Sequence, residues 1–184
     1  MKYLMIIVIV LLVGCAGTSD ISTKVIENNG VDQLVDLKKL SIASDWAYPM
    51  VTTGVTALAN SGLYPIGSSV NQINLIGNPN HFRVNGDSIS VYLPFFGDQQ
   101  MSVGYASRDM AIRYDGIPDR FESILDTKKN RNILKFDFRN KVESFRATVT
   151  IYNNRTSEII ITSSHRNRIR YKGVVSDLPA EIYN

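Results

Sequence analysis

The stretch DGIPDRFES (residues 115–123) brings Asp115, Asp119 and Glu122 close together. Paired carboxylates at such spacing are the minimum equipment for general acid–base chemistry. Asp, Gly and Pro are turn residues first, however, and a turn accounts for them without catalysis. The only histidines, His81 and His165, fall at predicted strand edges or turns. A zinc site takes three or four His, Cys or acidic ligands, and no His-Glu-x-x-His spacing occurs. Nucleophilic catalysis needs a Ser, Thr or Cys beside an oriented base, yet there is no Gly-x-Ser-x-Gly elbow, and IGSSVN (66–71) reads as a turn. Neither a Walker loop nor a dinucleotide fingerprint is present. NRT (154–156) matches a glycosylation acceptor and reads as incidental. The expectation is therefore no catalytic set, no metal, no cofactor, and a protein that is not an enzyme.

One residue does carry a chemical expectation. Cys15 is the only cysteine, so no disulfide can form within the chain. It follows Lys2, the apolar run Tyr3–Val13 and Gly14, the layout of a secretory signal. The run is too short for a permanent span, which needs about 20 apolar residues. Leu12-Val13-Gly14-Cys15 resembles the bacterial lipoprotein box. That resemblance implies a signal peptide over residues 1–14 and acyl chains such as palmitate on Cys15. Two or more chains anchor a protein stably, where one binds marginally. The body is then expected in the bacterial cell envelope, facing the periplasm rather than the cell surface, because AGTSD (16–20) has no acidic run.

The formal net charge of +3 gives no strong electrostatic footprint, and nucleic acid is excluded as a partner outside the cytoplasm. The densest basic stretch is HRNRIRYK (165–172). In an extended strand Arg166, Arg168, Arg170 and Lys172 would share one face. The other feature is YLPFFG (92–97). Adjacent strand residues point to opposite faces, so Phe95 and Phe96 cannot both enter one core, and Pro94 and Gly97 mark a strand ending at a rim. Tyr92, Phe95, Phe96, Arg168 and Arg170 are the candidate contacts for a ligand or partner.

These residues need a scaffold, and its period is two. Ala16–Gly30 reads as a polar tether and VDQLVDLKKL (31–40) as a short helix or lead-in, so residues 15–40 precede a body over 41–184. In HFRVNGDSISVYLP (81–94) Phe82 and Val84, then Ile89, Val91 and Leu93, alternate with polar residues around Asn85-Gly86-Asp87, a hairpin. Leu134–Phe138, Phe145–Ile151, Ile159–Ile161 and Ile169–Tyr171 repeat the alternation. Shorter candidates are 45–53, 71–76, 111–114 and 120–125. Eight to ten strands with one apolar face each predict one all-β domain, an antiparallel barrel or sandwich. The inward set (Phe82, Ile89, Val91, Leu93, Leu134, Phe136, Phe138, Phe145, Ile151) is bulky and predicts a mostly filled interior.

NPNHFRVNGDSISVYLPFFG (78–97), with its Arg-Val-Asn-Gly-Asp hairpin, Tyr-Leu-Pro, aromatic pair and Gly, resembles the signature of the bacterial envelope family known as domain of unknown function 4251. IRYKG (169–173) resembles its closing strand, and the likeness spans roughly residues 40–175. Members are typically small secreted or lipid-anchored proteins of Bacteroides-type bacteria. The resemblance implies a lipocalin-like β-barrel with an N-terminal lead-in, and no activity. The functional expectation is a lipid-anchored, non-catalytic binding module for an apolar or amphipathic ligand. The alternatives are an accessory protein contacting another envelope protein and, third, an enzyme.

Overall fold

Ten strands and two short helices follow one another in the computed structural model, which describes residues 30–100, 111–140 and 142–179. The signal segment, Cys15 and most of the tether lie outside the described residues. The elements are α1 (Val31–Asp36), β1 (Lys39–Pro49), α2 (Thr53–Asn60), β2 (Ile73–Asn74), β3 (His81–Asn85), β4 (Ser88–Leu93), β5 (Ile112–Gly116), β6 (Arg120–Asp126), β7 (Arg131–Arg139), β8 (Ser144–Tyr152), β9 (Thr156–Ser163) and β10 (Ile169–Ser176).

The alternation sets the faces. All nine residues predicted to point inward are at most 3% exposed. Their rings interlock: Phe82 and Phe136 lie 5.3 Å apart, and Phe138 stacks on Phe145 at 5.3 Å. Tyr171 joins them, fully buried, and burial drives its phenol pKa far above the ordinary value. The interior is filled by the protein's own side chains.

The strand order is β5-β4-β3-β1-β10-β9-β8-β7-β6, with β2 paired to the far part of β1. Every pairing is antiparallel. The expectation of a closed, lipocalin-like barrel is overturned here. β5 and β6 are consecutive in sequence, yet they are the two edges of the sheet and stand 12 Å apart, against about 4.8 Å for paired strands. The sheet is an open, curled half-barrel. The cause is local. Gly116, at the end of β5, has φ 147°, a conformation side chains rarely adopt. Pro118 follows it, and Tyr114 Oη donates to the Ile117 carbonyl at 2.5 Å. The chain leaves β5 in a wide bend instead of a tight hairpin.

The hairpin at 81–93 is present, with Asn85 opposite Ser88 and a two-residue loop of Gly86 and Asp87. The positive φ falls on the first loop residue, Gly86 (59°), so the turn is Gly-first and not the Asn-Gly turn the dipeptide predicts. The lead-in is shorter than its pattern. α1 stops at Asp36, Lys38 takes φ 51°, and β1 starts at Lys39. Val31, Leu34 and Val35 are buried in the common core, and Asn132 Nδ2 donates to Asp32 at 2.7 Å, so α1 closes one end. α2 is absent from the sequence reading. Thr52 caps it by accepting from Val55 N–H at 3.1 Å, and it buries only Val55.

Candidate functional site

The opening between β5 and β6 exposes apolar surface that a closed barrel would hide. β6 turns Phe121, Ser123 and Leu125 to the inner side, opposite Phe136, Leu134 and Asn132 of β7. With no strand beyond it, Phe121 stays 37% and Leu125 57% exposed. Ile117, in the bend, is 71% exposed. A cavity of about 270 Å³ results, with Val84, Ile89 and Phe136 beneath and Ile117, Pro118 and Phe121 around. The Phe121 ring lies 5.0 Å from that of Phe136. At the rim, Lys38 Nζ sits 5.1 Å over Phe121 and pairs with Asp87 at 2.8 Å. That hydrogen bond, with the lysine charge, lowers the Asp87 pKa. Deeper along the seam Tyr114 packs 4.8 Å from Phe138, and burial followed by Asp119 raises its phenol pKa. An apolar cleft with one ion pair at its mouth suits an amphipathic molecule.

The five residues singled out in the sequence do not converge. Phe95 is 5% exposed and enters the core end, where Arg166 lies 5.2 Å over its ring. Phe96 is partly buried and meets Tyr64 edge-on at 6.0 Å. Tyr92 lies on the outer face, 6.2 Å from His81 and 4.8 Å under Arg113. Arg168 and Arg170 do come together. They line an outer groove of about 520 Å³ with Tyr48, Met50, Asn71 and Gln72.

Arg166 departs from the stripe predicted for it, because β10 begins only at Ile169. It turns in at 6% exposure, and its Nε donates to both oxygens of the fully buried Glu143 at 3.0 and 3.1 Å. Ser163 Oγ also donates to Glu143 and accepts from the His165 and Arg166 backbone N–H groups. Tyr171 Oη donates to the Pro94 carbonyl at 2.8 Å, Gln100 N–H to the His165 carbonyl at 2.7 Å and Asn167 N–H to the Asp98 carbonyl at 3.2 Å, and these bonds latch the 94–100 segment over the end opposite α1. The charges are consumed by structure.

His81 Nε2 lies 3.2 Å from Ser90 Oγ, and Asp115 is paired across strands with Ser90. Three residue types of a hydrolytic triad thus share one face. The His81 pKa is lowered by burial first and then by Arg83, with Asp115 opposing. β4 is hydrogen-bonded on both sides, so no backbone N–H beside Ser90 is left to stabilise an oxyanion. Asp115, Asp119 and Glu122 separate, Asp119 reaching Arg139 at 3.7 Å and Glu122 reaching Lys135 at 3.5 Å. The sequon residue Asn154 accepts from Thr156 N–H and Oγ1, a local turn. Among the described residues no three His, Cys, Asp or Glu side chains gather as metal ligands.

Sequence reasoning missed Tyr114, Phe121 and Lys38. Phe121 stood in a candidate strand, but the period of two reports a residue's face and not whether its strand is an edge.

Similarity to known proteins agrees with this architecture. The DUF4251 family model, Domain of unknown function (DUF4251), matches residues 24–175. Among solved structures, a DUF4251 family protein from Bacteroides eggerthii DSM 20697 superimposes with a TM-score of 0.53 at 12% identity. The match covers 86% of this chain and 90% of that one. That level of identity speaks for the fold alone. No curated protein matches the chain. The family model spans most of the chain and takes in the signature segment at 78–97, and the chain belongs to the DUF4251 family.

Proposed function

We propose that this protein is a non-catalytic binding module of the bacterial cell envelope, anchored through lipid on Cys15, which takes the apolar part of an amphipathic ligand into the seam between β5 and β6. One observation carries the reading: Phe121 and Ile117 face an opening floored by the core and rimmed by Lys38 and Asp87. The core is packed with its own side chains, and the seam offers apolar surface that is continuous with that core. The protein purified from bacterial envelope without detergent is expected to carry an extra mass by native mass spectrometry, removed by solvent extraction. Phe121→Ser is expected to lose it. A bare mass for the parent protein overturns the reading.

The same edges favour a second reading, an accessory role. A 12 Å gap between unjoined strands is slightly more than two strand spacings of about 4.8 Å, room for one added strand. A photo-cross-linker at Phe121 that captures an envelope protein, with no bound small molecule, selects it.

A further inference from the structure

Between Asp45 and His81 the chain runs for 35 residues, Trp46–Asn80, without one Asp, Glu, Lys or Arg, although 20% of the whole chain is charged. Among the described residues the same stretch holds six of the twelve exposed large hydrophobics: Met50, Val51, Leu58, Leu63, Ile66 and Ile76. Ile66 is 96% and Leu63 73% exposed. A polar surface loop does not look like this, and clustered exposed apolar residues mark an interaction site.

The stretch is fastened to a cationic face. β2 pairs with Trp46 and Ala47 of β1, and Asn74 Nδ2 holds the Ile66 carbonyl at 3.1 Å. On the other side of β1, Trp46 and Tyr48 stand opposite Lys172 and Arg170. The Arg170 guanidinium lies 4.7 Å and the Lys172 ammonium 5.5 Å from the Tyr48 ring. The outer groove then joins Arg168 and Arg170 to Met50, Asn71 and Gln72. Glu158 lies 3.8 Å from Arg170 and offsets one of the three charges, so the cations stay in excess.

An uncharged, apolar-tipped segment beside aromatic residues and unbalanced cations has the layering of a bilayer interface. Aliphatic tips enter the acyl boundary, Trp and Tyr sit at headgroup level, and Arg and Lys meet phosphates. The excess of cations beside this uncharged segment favours a partner that is apolar inside and anionic at its surface, which is the make-up of an anionic bilayer. We propose that this face, the segment 46–80 together with Arg168, Arg170 and Lys172, lies directly on an anionic lipid surface. The inference is independent of the ligand in the seam.

Trp46 is the only tryptophan and stands on this face, so it reports contact without labelling. The full chain is mixed with vesicles of phosphatidylglycerol and phosphatidylcholine, then with vesicles whose acyl chains are brominated. Trp46 emission is expected to shift blue and to be quenched by the brominated lipid. Leu63→Ser with Ile66→Ser should abolish the quenching. Replacing Arg168, Arg170 and Lys172 by Gln should weaken the anionic preference by tenfold or more, at about fivefold per cation. High salt should do the same, since screening acts on exposed charges. These variants alter exposed side chains, and circular dichroism checks that the sheet is intact. If the chain sediments with vesicles through its N-terminal run while Trp46 emission stays unchanged, the proposal is overturned. Quenching that survives both sets of substitutions, or shielding of Trp46 by another envelope protein in place of lipid, overturns it too.

Discussion

The latched end and the open seam are assembled from the same three parts. At the end, Arg166 covers Phe95 at 5.2 Å and pairs with Glu143. At the seam, Lys38 covers Phe121 at 5.1 Å and pairs with Asp87. What differs is water. The Arg166 and Glu143 side chains are 5% and 0% exposed, whereas those of Lys38 and Asp87 are 38% and 80%. Buried, the trio must satisfy every polar atom, and Ser163 is recruited for that purpose. Exposed, it is lightly held and can exchange partners at little cost. A cation, a carboxylate and a phenylalanine therefore make a fastening in one place and a candidate mouth in the other.

The comparison is broken most severely at Glu143. Glu143→Gln leaves the Arg166 charge buried without its counter-charge, and urea unfolding should show a loss of about 3–5 kcal/mol. Asp87→Asn, the matching change at the seam, should leave the urea midpoint almost where it was. Truncating the rings comes next. Phe95→Ala removes a buried ring and should cost about 3–5 kcal/mol. Phe121→Ala removes a ring already partly in water and should cost less than about 1.5 kcal/mol. Equal losses for Phe95 and Phe121 would mean that the seam is closed in solution. Gly116→Val puts a branched side chain at φ 147° and should destabilise by about 1–3 kcal/mol, with the change concentrated in amide exchange of β5 and β6.

The smallest effect is a pH dependence. The folded state lowers the His81 pKa below its ordinary 6.5, chiefly through burial. The unfolded chain therefore takes up the proton first as pH falls. Stability should begin to decline below about pH 6.5 and stop declining once pH is under the folded value. His81→Asn should flatten that part of the profile in thermal melts, while Asp115→Asn, which removes the opposing charge, should steepen it.

Much of the inner surface was legible because alternation is a local property. Phe82, Ile89, Val91 and the rings of β7 and β8 read inward from sequence and are inward. Closure was not legible, since it depends on one bend at Gly116 and Pro118 whose composition fits a tight or a wide turn equally. The family resemblance carried the barrel expectation past what periodicity supports. Of the nominated residues, Arg170 lies in β10 and Arg168 just ahead of its first residue, Ile169, so the two stay close enough to line one groove. Phe95, Phe96 and Tyr92 scatter because a strand end sends neighbours in different directions. Arg166 was read as surface because its partner, Glu143, is 23 residues away and nothing local announces it. The uncharged stretch Trp46–Asn80 was in plain view. Its meaning needed the pairing of β1 with β10, which sets Lys172 and Arg170 beside it.

That pairing has a kinetic consequence. The first and last strands of the body meet in the middle of the sheet, Ser41 against Ser176 and Pro49 against Ile169, while the sequence-adjacent β5 and β6 form its borders. β1 cannot acquire its central neighbour until nearly the whole chain is available. If the chain is exported as proposed, N-terminus first, β1 and β3 can pair only loosely until β10 has followed them. Late commitment of this kind, slow because its decisive contact spans the greatest sequence distance, keeps a polypeptide pliable until it has been delivered.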